Sequence, residues 1–214
     1  MITVDGRPMI GAIEMLLGPD RLFEGGSSNL RLRTLMEQSR KEQNEVSTRL
    51  SEQVLEALWI LVRGIDVADK KSRSLGKTIL DDLPTSDPDH LYGGLITVLL
   101  RLVFLLYSED EKLMPIDSLY VENYSLSGLA SRLRKDRNEL QGAMEERYGA
   151  WSSLLSLFRL IFDGGGPYES YLPARHGELF DPDAFPFLEG RKINSSYLEG
   201  KLNLVPPITD DVIE

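Results

Sequence analysis

One stretch limits what this chain can fold into more than any other. From Leu91 to Leu106 the sequence reads "LYGGLITVLLRLVFLL", nearly solid apolar residue, broken by Arg101 and stopped by the acidic run at Glu109. A membrane-spanning helix needs roughly 20 predominantly apolar residues. This run falls short of that and carries a charge inside it. It is too long for an ordinary strand. A helix fits: Asp87 can cap it, Pro88 suits its first turn, and Asp89 complements the positive end of the helix dipole. Its apolar residues cover almost the whole helical circumference, which predicts a central helix buried on most sides. Pro115 is the expected stop.

The rest of the chain reads as helix packed around that element. Residues 8–17 predict a short helix, followed by a Gly/Ser linker. A long helix is expected from about Leu30 to about Asp66, polar in its first half. In its second half Val54, Leu55, Leu58, Leu61, Val62 and Ile65 recur at helical period. A short helix over 75–80, an irregular "SLYVENYS" and a helix beginning at Ser125 follow. The next helix carries Tyr148, Trp151, Leu154, Leu155, Phe158, Ile161 and Phe162 on one side, and Gly164 to Gly166 end it. Beyond it, "PYESYLPARHGELFDPDAFPFLEGRK" has no sustained period and is rich in Pro, Gly and aromatics, the pattern of an ordered loop packed onto something. The tail "LVPPITDDVIE" closes no obvious element. The predicted class is mainly α: a helical bundle around a buried central helix, with an irregular C-terminal loop segment. The predicted divisions are 1–28 (short helix and linker), 29–166 (helical domain) and 167–214 (irregular docking segment).

Composition narrows the function. With 24 Lys and Arg against 34 Asp and Glu, the net charge of −10 argues against a free-standing nucleic-acid binder, although one basic face is compatible with it. The absence of cysteine removes disulfides, thiolate metal sites and a cysteine nucleophile, and fits the cytoplasm. No signal-peptide pattern is read at the N-terminus, and no membrane partner is expected.

The motifs are fragmentary. "LGKT" (Leu75 to Thr78) has the end of a phosphate-binding loop but Lys71 where the motif needs glycine. His90 and His176, the only histidines, have no metal-ligand spacing. Asp181, Asp183, Glu189 and Lys192 could be taken for a nuclease acid set, but no strand pattern surrounds them, and a turn built on Pro182 and Pro186 is the expectation. "GGGPYES" lacks the strand and helix that would make it a cofactor loop. No catalytic, cofactor-binding or metal-binding residue is assigned. The one basic cluster is Arg132, Arg134, Lys135 and Arg137, on the side of a helix away from Leu129 and Leu133. That placement fits a solvated face and also a face that touches phosphates.

Taken in order, "LYGGLITVLLRLVFLLYSEDEKLMPID", "YSLSGLASRLR", "RYGAWSSLLSLFRLIFDGG" and "LPARHGELFDPDAFPFLEGR" resemble the helical region upstream of the catalytic domain in large adenine-specific DNA methyltransferases. These are the type IIG restriction–modification enzymes and related phage-defence methyltransferases. The resemblance covers about Leu30 to Arg191. It implies a parent enzyme that moves a methyl group from S-adenosylmethionine to adenine N6, on a base flipped from the duplex. The glycine-rich cofactor motif and the Asn-Pro-Pro-aromatic motif of that family do not occur in the 214 residues, and "VPPI" (Val205 to Ile208) lacks both the Asn and the aromatic. The resemblance therefore implies a connector segment of a longer protein, ending shortly before the catalytic core. It would be inactive and cofactor-free by itself, with DNA and an intramolecular methyltransferase domain as partners, and the basic cluster would be a candidate DNA-backbone contact. A stand-alone helical protein–protein interaction module is the other reading.

Overall fold

The computed structural model describes residues 11, 32–139, 142–168, 171–192, 195–199 and 205–214. The helix expected at 8–17 and the linker after it lie outside them but for Gly11. The described chain is mainly α-helical, and its β structure is a single bridge between Gly165 and Leu172. It divides into two compact units, Met1–Val54 and Leu55–Glu214.

Helix α1 (Leu32–Ser74) runs through that division. Its described side chains in the first unit are exposed and mostly polar, with i,i+4 contacts such as Arg49 to Glu45 at 2.7 Å. In the second unit it buries Leu58, Leu61, Ile65, Ala68 and Ser72, one face at helical spacing. The helix extends two turns past the expected end near Asp66 because Ala68 and Ser72 continue the buried face. Their small side chains carry no apolar signal. The expected helix over 75–80 is instead a turn, and Asp69 organises it. Its carboxylate accepts from the N–H groups of Ile79 (3.0 Å) and Leu80 (3.1 Å), while Arg73 Nε donates to it at 2.6 Å.

Helix α2 (Leu83–Ser86) is a single turn, and α3 (Pro88–Asp110) follows it. The start of α3 is the one read from the sequence: Asp87 accepts from His90 N–H at 3.0 Å with Pro88 in the first turn. By length and apolar composition α3 is long enough to cross a membrane, although the apolar run by itself falls short of that length. Its burial is also one-sided, which corrects the expectation of a helix enclosed on most sides. Gly94, Leu95, Val98, Arg101, Leu105 and Ser108 face the core, while Leu100, Val103, Phe104, Leu106 and Tyr107 are exposed. The helix is central in what it touches, meeting α2, the helix at Leu126–Glu139 and the Glu178–Phe180 turn, but among the described residues it is not enclosed. It stops at Asp110, ahead of Pro115, and Glu109 turns to a different task. Its carboxylate takes the N–H groups of Leu126 (2.6 Å) and Ser127 (3.0 Å) at the start of α5 (Leu126–Glu139). Between them, "SLYVEN" forms α4 (Ser118–Asn123), capped by Asp117, where the sequence predicts irregular chain.

The most buried helix is α6 (Gly149–Asp163), with Ala150, Trp151, Leu154, Leu155, Leu157, Phe158, Ile161 and Phe162 inside. Its first turn is satisfied from the tail. Asp210, 1% exposed, accepts from Ala150 N–H at 2.7 Å, and its own N–H donates to Arg147 O at 2.8 Å. The tail thus closes an element after all, α7 (Asp210–Ile213).

One-sided burial of α3 has a direct consequence. Leu105→Asp, at a fully buried site, should cost several kcal/mol, while Val103→Asp, 58% exposed, should shift stability by about 0.5 kcal/mol or less in urea unfolding. Equal losses would contradict the burial pattern. Asp69 gives a pH test. Burial raises its pKa, but the Arg73 guanidinium and the two N–H groups outweigh this and hold it below the ordinary 3.8. A depressed folded pKa stabilises above the unfolded value, and that stabilisation is lost as pH falls through the folded value. Asp69→Asn should therefore be less stable than wild type at neutral pH, with the gap closing below pH 3.8. A gap independent of pH would rule the interaction out.

Candidate functional site

Most of the residues singled out by the sequence lie in two places, the irregular segment after α6 and the polar side of α5. The segment over residues 171–192 is an ordered strap. Gly164 ends α6 at φ 74°, and a side chain there would meet Ala174 N at 2.5 Å, so glycine permits the close return of the chain. Two short 3₁₀ turns, Glu178–Phe180 and Pro186–Glu189, then drive Phe180, Phe187 and Leu188 into the core. Trp151 Nε1 donates to Leu188 O at 3.2 Å. Gly94 on α3 lets Phe187 lie against the helix backbone, since a Cβ there would sit 2.5 Å from the Phe187 ring.

Arginines hold this strap. Arg101, the one charge in the apolar run, is 4% exposed and donates from Nε to Leu179 O (2.6 Å) and from Nη2 to Asp181 O (3.1 Å). Its guanidinium lies 5.1 Å from the Phe158 ring centre and 5.7 Å from that of Phe180. Burial pulls its pKa down to about 10, against the fields of Glu189 and Asp181, so it stays a cation at neutral pH. Farther along, Arg159 grips Glu189 with Nε at 2.6 Å and Nη2 at 2.7 Å. Arg191, also 4% exposed, donates to Glu189 (2.9 Å), Asp183 (2.9 Å) and Ser195 O (2.6 Å), and to Pro182 O.

The supposed acid set is thereby used up. Glu189 neutralises two arginines. Asp183 takes Arg191, Tyr197 N–H and Ser196 Oγ, while the Asp181 side chain accepts from Asp183 N–H. Lys192 joins none of these contacts. Among the described residues no group of three or more His, Asp or Glu could hold a metal ion. The two histidines are not brought together. His90 packs on Phe185 and Phe187 with Nε2 buried and unpartnered, and His176 stands edge-on to Phe162. In "LGKT", Thr78 Oγ1 donates to Asp81 and Leu75 is 70% exposed, with no strand before it. Sequence reasoning missed Arg101, Arg159, Glu189 and Arg191 as a set. The only available signal was the lone arginine inside an apolar run.

All four members of the basic cluster are exposed or half-buried on α5, but they differ in commitments. Arg132 donates to Glu122 O, and Arg137 pairs with Asp211 and Glu214 of the tail. Lys135 stands 4.0 Å from Glu139, an exposed pair of small energetic weight. Arg134 makes no hydrogen bond or ion pair among the described residues. The cluster thus offers Arg134 and Lys135 to an external anion, with Arg132 and Arg137 already engaged.

One apolar cleft of about 590 Å³ opens between α3, α6 and the strap, lined by Phe104, Leu113, Ile161, Leu172 and Phe180, with Arg175 and Glu178 also in its lining. Its size suits a small ligand, and its lining is mostly apolar. No family model, curated protein or solved structure matches the chain.

The strap's energetics are testable at Glu189. Replacing it with Ala leaves Arg159 and Arg191 without their shared carboxylate, and should cost about 3–5 kcal/mol in chemical unfolding. A loss below about 1 kcal/mol would mean the ion set does not hold the strap.

Proposed function

We propose that the chain is a non-catalytic connector and scaffold segment of an adenine-specific DNA methyltransferase or fused restriction–modification enzyme. It would position the domain that transfers the methyl group of S-adenosylmethionine. The observation that carries the reading is the ordered set of four stretches resembling that family. What supports it further is that those stretches, α3, α5, α6 and the strap, pack on one another. The charged side chains that join α6 to the strap, Arg159, Glu189 and Arg191, are spent on internal bonds, which suits a positioning role.

The test is the reading frame. Continuation past Glu214 into a glycine-rich cofactor motif and an Asn-Pro-Pro-aromatic stretch supports the connector. A stop codon there overturns it and favours the stand-alone interaction module, which the exposed apolar side of α3 would suit.

DNA binding in this reading passes through Arg134 and Lys135. Replacing both with Ala in the parent enzyme should weaken binding about equally across DNA sequences. It should flatten the log–log salt dependence by roughly 0.9 for each phosphate that is no longer neutralised, leaving base preference unchanged. An unchanged slope assigns the two side chains to a solvated face.

A further inference from the structure

The cleft between α3, α6 and the strap joins an apolar floor to a charged lip. Ile161, Leu172 and Phe180, each 5–6% exposed, are its buried lining, and the Phe104 ring stands edge-on to Phe180 at 5.6 Å. The two charged residues of the lining, Arg175 and Glu178, are exposed, and neither side chain makes a hydrogen bond or ion pair among the described residues. This sets Arg175 apart from Arg101, Arg159 and Arg191, which are spent on the strap. Opposite charges three positions apart pair readily on a helix. Here the chain between them turns left-handed at His176 (φ 44°) and is extended at Gly177 (φ −83°, ψ 142°).

The lip is fixed in that conformation. The N–H groups of Arg175 and His176 both donate to Phe162 O at 3.2 Å, and the His176 ring stands edge-on to Phe162 at 5.0 Å. Lys112, beside the lining residue Leu113, also has a positive φ, 56°. Of the three non-glycine residues with positive φ among those described, two thus border this one cleft. Such conformations are costly and gather at ligand sites.

We propose that the cleft binds a free α-amino acid with a large apolar side chain, its carboxylate on Arg175 and its ammonium on Glu178. A monoanion would meet Arg175 and be opposed by Glu178, and a monocation would face the reverse. A head that carries both charges satisfies both side chains, and it adds no net charge to a chain at −10. The planar fork of the guanidinium matches a carboxylate. Nothing lies within 4 Å of where a Cβ on Gly177 would stand, so the lip is open between the two charges. A ring the size of indole enters against Phe104 and Phe180, where edge-to-face packing is available. A volume of about 590 Å³ lies within the range of small-molecule sites.

Ligand-observed NMR titration of the 214-residue chain with L-tryptophan tests this. The dissociation constant should be about 0.1–1 mM, the range for a ligand of this size. Tryptamine, which lacks the carboxylate, and indolepropionate, which lacks the ammonium, should each bind about fivefold more weakly or worse. Arg175→Gln should erase the preference over tryptamine, and Glu178→Gln the preference over indolepropionate. Both variants should keep the wild-type Tm, since neither residue has an internal partner to lose. Phe104→Ala, at a 46% exposed site, should weaken all three ligands alike. No binding of L-tryptophan at about 10 mM overturns the proposal. Either analogue binding as tightly as L-tryptophan also overturns it, because the head is then not read. Binding indifferent to both lip substitutions would put the ligand elsewhere on the chain and overturn it as well.

Discussion

A buried guanidinium decides the arrangement of residues 55–214. Arg101 sits on the inward face of the most apolar helix, and among the described residues no carboxylate directly pairs with it. Its hydrogens go to the main-chain oxygens of Leu179 and Asp181. Burying a cation is costly unless its hydrogen bonds are met. The helix and the strap therefore depend on each other: without the strap Arg101 is a stranded charge, and without Arg101 two strap carbonyls lose their donor. Arg159 and Arg191 repeat this logic at the strap's far end through Glu189. Around these fixed points the aromatic residues Phe180, Phe187 and Trp151 complete the core.

What the sequence revealed and what it hid separate by range. The cap of α3 at Asp87, the start of α5 at Ser125, whose Oγ accepts Gly128 N–H, and the buried face of α6 all depend on residues within a turn or two, so they are readable in one dimension. The tail cap of α6 is not. Asp210 and Ala150 are 60 positions apart, and "TDDV" has nothing to mark one aspartate as buried. The same holds for Arg101, because backbone carbonyl acceptors leave no trace in a sequence. The end of α1 lies beyond the expected one because Ala68 and Ser72 carry a buried face without apolar bulk. The all-round burial expected of α3 fails because hydropathy reports which side chains can be buried, and the described residues of the chain cover only one side.

The candidate sites follow from the same accounting. The acidic residues of the strap look like metal ligands in one dimension and act as counter-ions in three. The basic cluster on α5 looks like four free cations, yet Arg137 belongs to the tail and Arg132 to the end of α4. Among the described residues of that cluster, Arg134 is left unpaired and Lys135 holds only a long exposed pair with Glu139.

The strap is an integral part of the helical core despite its lack of regular structure. Native-state hydrogen exchange measures this directly. The amides of Phe180, Leu188 and Gly190 should exchange with the same opening free energy and denaturant dependence as those in the middle of α6, because the arginines couple the two. Rapid exchange of the strap amides at low denaturant, with α6 still protected, would show that the strap opens by itself and that the arginine set does not organise the fold.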